Sequence, residues 1–164
     1  MLIQQKLGNI HSDNINNKTI DYVAFEWYET NKRIQIKKSV AGIEVTLKFM
    51  LENPCLTEGD ILFEEEDYII VVDILPCECM VISPINMFDT ASVCYEIGNK
   101  HLPLFIENND LLVPYEKPLF TMLTAQGYTI KLEQRKLLKP LRTTVSPHAH
   151  NGDSLFTRIM KLTS

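Results

Sequence analysis

The chain has 164 residues, 45% of them hydrophobic and 23% charged, which is enough apolar material for a real core in one domain or two small ones. Its formal net charge of −5 argues against binding nucleic acid through a broad phosphate-contacting surface. No apolar run is long enough to span a bilayer, and the start, Met1-Leu2-Ile3-Gln4-Gln5-Lys6, lacks the parts of a signal peptide. A cytoplasmic chain with four reduced cysteines is therefore expected, with no membrane and no nucleic-acid partner.

Charge is unevenly spread. Through Ile82 there are 14 acidic and 7 basic residues, a balance of −7, whereas the remainder has 7 acidic and 9 basic, a balance of +2. Lys131, Arg135, Lys136, Lys139 and Arg142 form a basic segment opposed only by Glu133, which reads as a solvated strand and tail.

Residues 1–74 read as an all-β domain of short β-branched and aromatic segments between polar turns. Asp21 to Trp27 places Val23, Phe25 and Trp27 on one face, with Tyr22 and Ala24 on the other. Arg33 to Lys37 alternates, Ser39 to Gly42 resembles a hairpin connection, and Gly42 to Phe49 alternates with Ile43, Val45, Leu47 and Phe49 inward. Gly59-Asp60 opens the strand Ile61 to Phe63. Glu64 to Asp67 is then an exposed acidic turn before the strand from Tyr68 to Val72.

Residues 75–142 change pattern. Cys77 to Ile82 reads as a strand, and Ser83-Pro84 as a helix start with Ser83 as N-cap and Pro84 as the first helical residue. Helical spacing puts Met87, Ala91, Cys94 and Gly98 near one face and Phe88 and Tyr95 near an adjoining one. Gly98-Asn99 supplies the left-handed residue that ends the helix. Leu102 to Ile106 is a proline-containing edge strand, Asn108 to Asp110 a turn, and Leu111 to Tyr115 the next strand. A short helix over Leu119 to Gln126 ends at Gly127, and Tyr128 to Leu132 is the last strand. The order, strand-helix-strand-strand-helix-strand, predicts a ferredoxin-like βαββαβ domain, making the whole an α+β protein with a C-terminal tail over residues 143–164.

Chemistry centres on the four histidines. His101 falls at the helix-to-strand junction, while His148 and His150 form an i,i+2 pair in the tail, which places both on the same side of an extended segment. Imidazole is the commonest protein ligand for borderline metals, so His101, His148 and His150 are candidate ligands for an ion such as Ni²⁺ or Zn²⁺. One histidine is too few, and a twofold dimer would turn it into two facing imidazoles. Cys77 and Cys79 offer an alternative: in a strand both sulfurs share a face and would suit Zn²⁺ or Cu⁺, unless they are simply small core residues. His11 sits in a turn, and a module that only binds protein is the third reading. Enzymatic readings find no support: there is no phosphate loop, no G-x-S-x-G elbow and no H-E-x-x-H pair. Cys94 and His101 are separated by a helix stop, and Asp60 and Glu64 fall in turns.

The run Cys94-Tyr95-Glu96-Ile97-Gly98-Asn99-Lys100-His101-Leu102-Pro103-Leu104, with Val113 to Pro118, Leu123 to Gly127, Leu7 to Ile10 and Gly59 to Leu62, resembles the UreE family of urease accessory proteins. The resemblance spans nearly the whole chain. It implies a non-enzymatic cytoplasmic nickel metallochaperone that dimerises through its ferredoxin-like domain and delivers Ni²⁺ for urease assembly through the GTPase UreG and the apo-urease accessory complex. His101 matches the family's principal nickel-binding histidine, and His148 and His150 correspond in role to tail histidines that are more numerous elsewhere in the family. Lys100 stands where an arginine is common, keeping the charge without the guanidinium fork.

Overall fold

The chain divides between Leu75 and Pro76: in the computed structural model, which describes residues 1–13, 15, 18–50 and 53–141, one unit holds Met1–Leu75 and the other starts at Pro76.

The first unit contains strands β1 (Leu2–Ile3), β2 (Gly8–Asn9), β3 (Thr19–Phe25), β4 (Ile34–Lys38), β5 (Glu44–Lys48), β6 (Asp60–Glu64) and β7 (Tyr68–Ile74), with a 3-10 turn at Trp27–Glu29. They form two sheets, in the orders β1-β5-β4 and β2-β6-β7-β3. Alternation decides which side chains meet. Val45 and Leu47 of β5, Val23 and Phe25 of β3, and Ile70 and Val72 of β7 are fully buried in one shared core. Trp27 departs from the expected strand face because the chain has already entered the 3-10 turn, closed by Glu26 and Glu29 capping each other. Gly42, at φ +88°, takes the left-handed position that lets β4 return as β5.

A buried carboxylate ties these pieces together. Asp21 on β3 accepts hydrogen bonds from the Tyr68 hydroxyl at 2.6 Å, from the Ala41 N–H at 3.0 Å and from the Tyr22 N–H at 2.8 Å, so β3, β7 and the β4–β5 hairpin share one anchor. Burial alone would push its carboxyl up, but hydrogen bonds from Ser39, Tyr68, Ala41 and Tyr22 outweigh it and hold the group below the usual carboxylate range. Burial and the bond to Asp21 in turn push the Tyr68 phenol up to about 12.

The second unit runs β8 (Cys77–Ile82), α1 (Met87–Asn99), β9 (Phe105–Glu107), β10 (Asp110–Pro114), α2 (Lys117–Ala125) and β11 (Ile130–Arg135). Its sheet order is β11-β8-β10-β9, with every neighbouring pair antiparallel, which is the ferredoxin-like arrangement expected from the order of elements. Met80 and Ile82 of β8 and Leu111 and Val113 of β10 point to one face of the sheet. There they meet Val93 and Ile97 of α1 and Leu119 and Leu123 of α2. Each fully buried aliphatic side chain of this kind stabilises the fold by roughly 1.5–3 kcal/mol.

Two local expectations need correction. The cap of α1 is Asn86, not Ser83: the Asn86 side chain accepts from the Asp89 N–H at 2.9 Å, while the Ser83 hydroxyl is committed to Asp110, at the start of the neighbouring strand β10, at 2.5 Å. The strand expected from Leu102 is also shorter, beginning at Phe105, because Leu102 to Leu104 first complete the helix cap and enter the core.

Candidate metal centre

Helix α1 ends in a way that fixes His101. Lys100 is the C-cap, with φ −89°, and His101 follows in the left-handed conformation at φ +54°. The His101 N–H donates to the Gly98 carbonyl at 3.0 Å and the Leu102 N–H to the Ile97 carbonyl at 3.3 Å, the two reversed bonds of a Schellman cap. Leu102 then packs beside Ile97 in the core, as that cap requires. The residue with positive φ is therefore the histidine itself, not Gly98 or Asn99 as expected. A glycine would sit there without strain, whereas a side chain costs about 1–2 kcal/mol. Strain of this kind, held by well-made surroundings, gathers at functional positions.

The face of α1 turned away from the core is apolar and bare. Phe88 is 79% exposed and Tyr95 69%, with Met87 and Ile85 also open. A Cβ built on Gly98 would meet nothing within 4 Å, so the helix surface stays unobstructed up to His101. The buried stripe is Val93 and Ile97, so Phe88 and Tyr95 do not serve the core of this unit.

The end of the described chain lies close by. After β11, Pro140 bridges to Phe105, and the Leu141 N–H donates to the Leu104 carbonyl at 2.7 Å. The residues that carry His148 and His150 thus depart from a point three residues beyond His101 in sequence; the two histidines themselves lie outside the described residues.

Other candidates have different surroundings. Cys79 is fully buried, and burial pushes its thiol up, which disfavours the thiolate a metal needs. Cys77 is half-buried and faces Arg135 across the ladder, while Cys94 is partly buried on α1 with its thiol also pushed up by burial. His11 lies in the turn after β2, its ring against Gly59. Asp60 and Glu64 begin and end β6 instead of lying in turns. Asp60 is a buried anchor that accepts from the Lys6 ammonium at 3.0 Å, the Asn9 amide at 3.0 Å, and the Thr57 N–H and hydroxyl at 2.8 and 2.9 Å. Among the described residues no group of three or more His, Cys, Asp or Glu is gathered as a metal site. Sequence reasoning did not find the bare α1 face as such, nor the Leu141 anchor; a backbone bond leaves no mark in residue type.

Comparison with known proteins bears on the same residues. The chain matches the model described as UreE urease accessory protein, N-terminal domain, over residues 3–75 and the corresponding C-terminal domain over residues 78–154. The chain belongs to the UreE urease accessory protein family. It is 42% identical over 163 residues to the urease accessory protein UreE of Flavobacterium johnsoniae, covering 99% of each chain. The UreE of Acetivibrio thermocellus is 36% identical, over 92% of this chain and 98% of its own. That of Helicobacter pylori is 36% identical, over 91% and 90%. UreE membership makes the chain an accessory protein of urease maturation, and the β domain followed by a βαββαβ domain fits the family's two-domain architecture. Among the described residues no helix is long and apolar enough to cross a membrane.

Proposed function

We propose that this chain is a cytoplasmic, non-enzymatic nickel carrier that works as a homodimer and hands Ni²⁺ towards apo-urease through the GTPase UreG. The observation that carries the proposal is His101, held by a Schellman cap at the end of a helix whose outward face exposes Phe88 and Tyr95. A second copy laid against that face buries the aromatic side chains and brings the partner subunit's His101 towards the first. One borderline cation between two imidazoles is then the natural cargo.

The tail completes the set. From Leu141 to His148 is seven residues, about 23 Å of extended chain, so tail imidazoles anchored beside Leu104 have the reach to add ligands. Imidazole ligation suits a carrier, because it binds firmly yet yields the ion to a partner with more or softer ligands, whereas a closed thiolate site retains it. Zn²⁺ fits the same donors, so the choice between the ions depends on supply. Ligation needs neutral imidazoles, so acidification weakens uptake.

Calorimetric titration of tag-free protein with Ni²⁺ tests the proposal. One ion per two chains is expected, with the tightest site lost in His101→Ala. Unchanged affinity and stoichiometry in that variant, shown folded by circular dichroism, would remove His101 from the site. Metal lost on thiol alkylation with all histidines intact would point instead to Cys77 and Cys79.

A further inference from the structure

The second face of the sheet β11-β8-β10-β9 is closed to water, yet α1 and α2 both lie on the first. Met80 and Ile82 of β8 and Leu111 and Val113 of β10 point to the helices, so alternation turns Cys79, Val81 and Leu112 the other way. Val81 pairs with Leu112, and Leu112 with Phe105 of β9, which sets the three in one row across the strands. Cys79 is fully buried, Val81 is 3% exposed, Leu112 2% and Phe105 4%. Apolar side chains on one face of a sheet are withdrawn from water to that degree only beneath a second layer.

The returning chain supplies part of that layer. After β11, on one edge of the sheet, the backbone comes back to β9 on the opposite edge, where Pro140 bridges to Phe105. Leu137, within this return, is buried, and Arg135 and Glu107 join the two edge strands by an ion pair at 2.9 Å. One leucine and one ion pair are too little to roof four strands, a width of about 14 Å at roughly 4.8 Å between neighbours. The chain passes beyond the described residues at this same edge, with Leu141 hydrogen-bonded to Leu104 next to Phe105.

The sequence that follows has the pattern of a covering helix. Asn151-Gly152-Asp153-Ser154 carries turn and cap chemistry. Leu155, Phe156, Ile159, Met160 and Leu162 fall on one side at helical spacing, and Thr157, Arg158 and Lys161 on the other. Residues 142–153 reach about 40 Å when extended, far more than the width of the sheet.

We infer that residues 154–162 dock as an amphipathic helix on the second face of the ferredoxin-like sheet, with Leu155, Phe156, Ile159 and Met160 over Val81 and Leu112. Arg158 and Lys161 then face solvent, and the unit becomes a sheet covered on both sides. His148 and His150 lie in a loop tied at both ends, to β9 at Leu141 and to the sheet through the helix. The docking requires no nickel.

The test uses the full chain, metal-free, carrying Cys55→Ser/Cys77→Ser/Cys94→Ser, so that Cys79 is the one thiol, with dithionitrobenzoate as the probe. Slow, concentration-independent reaction is expected. Adding Phe156→Asp/Ile159→Asp should raise the rate by about tenfold or more, while amide exchange at Val93 and Ile97 of α1 stays unchanged. Thr157→Asp/Lys161→Asp, the same two carboxylates on the other side of the helix, should leave the rate alone. A synthetic peptide of residues 152–164 added to the Phe156→Asp/Ile159→Asp protein should slow it again. The inference is overturned if Cys79 stays protected in Phe156→Asp/Ile159→Asp, if both double variants expose it equally, or if the peptide restores nothing. It is also overturned if protection in the parent protein is lost on dilution, which would make a second copy the cover.

Discussion

Leu141 and Leu104 are joined by a 2.7 Å backbone hydrogen bond, which ties the last described residue of the chain to the segment that leaves His101. Two regions 37 residues apart in sequence are thereby made neighbours, and the tail histidines acquire a fixed starting point. Replacing His148 and His150 together by alanine should lower nickel affinity by about tenfold, the effect of losing one weak ligand, while the stoichiometry of one ion per two chains persists. Titration calorimetry reads both quantities, and a changed stoichiometry would show the tail to be a site of its own.

Position 101 separates stability from binding. His101→Gly removes the cost of a side chain at φ +54° while keeping both cap hydrogen bonds. The variant should be more stable by about 1 kcal/mol, a rise in Tm of roughly 4 °C, yet should lose its tight nickel binding. Thermal denaturation without metal checks the first half and calorimetry the second. His101→Ala should bind as poorly without the gain in stability, because alanine keeps the Cβ.

The bare face of α1 predicts an assembly defect. If the proposed homodimer forms through this face, Phe88→Glu should sediment as a monomer with its fold intact, since Phe88 is exposed and contributes nothing to the core of its own unit. Nickel stoichiometry should fall with it.

Asp21 and Tyr68 set opposite arms of the stability profile against pH. The Asp21 carboxyl lies below its ordinary value near 3.8, so its stabilisation is complete above that value and disappears as pH falls through the lower, folded one. Asp21→Asn should flatten this acid arm. Tyr68 lies above its ordinary 10.0, at about 12, so its contribution is complete below pH 10 and is lost as pH rises towards 12. Tyr68→Phe should remove that alkaline loss, at a cost of about 1 kcal/mol at neutral pH for the missing hydrogen bond. Urea denaturation across pH measures both.

Asp60 predicts the largest single loss. Asp60→Ala strands the Lys6 ammonium, the Asn9 amide and the two Thr57 donors. A cost of about 3 kcal/mol is expected from denaturant unfolding.

What could be read from the sequence follows from where burial is one-sided. Val45 and Leu47 alternate with polar neighbours because one face of β5 is core and the other is not, so period and burial agree. In α1 apolar residues lie on two sides, Val93 and Ile97 inward and Phe88 and Tyr95 outward, and no period distinguishes a core stripe from a bare one. Ser83-Pro84 carries the chemistry of a helix start, which is why the sequence points there; the cap falls instead to Asn86, because the Ser83 hydroxyl engages Asp110 on another strand. The left-handed residue at the helix end differs from expectation because a Schellman cap is made by main-chain groups, and nothing in the side chain of His101 announces that it takes the position glycine usually fills.

The neutral sulfur of Cys79 has a consequence for the unit's response to oxidants. A thiol enclosed in a sheet and kept protonated reacts slowly with peroxide, so the ferredoxin-like unit keeps that residue reduced through an oxidising episode.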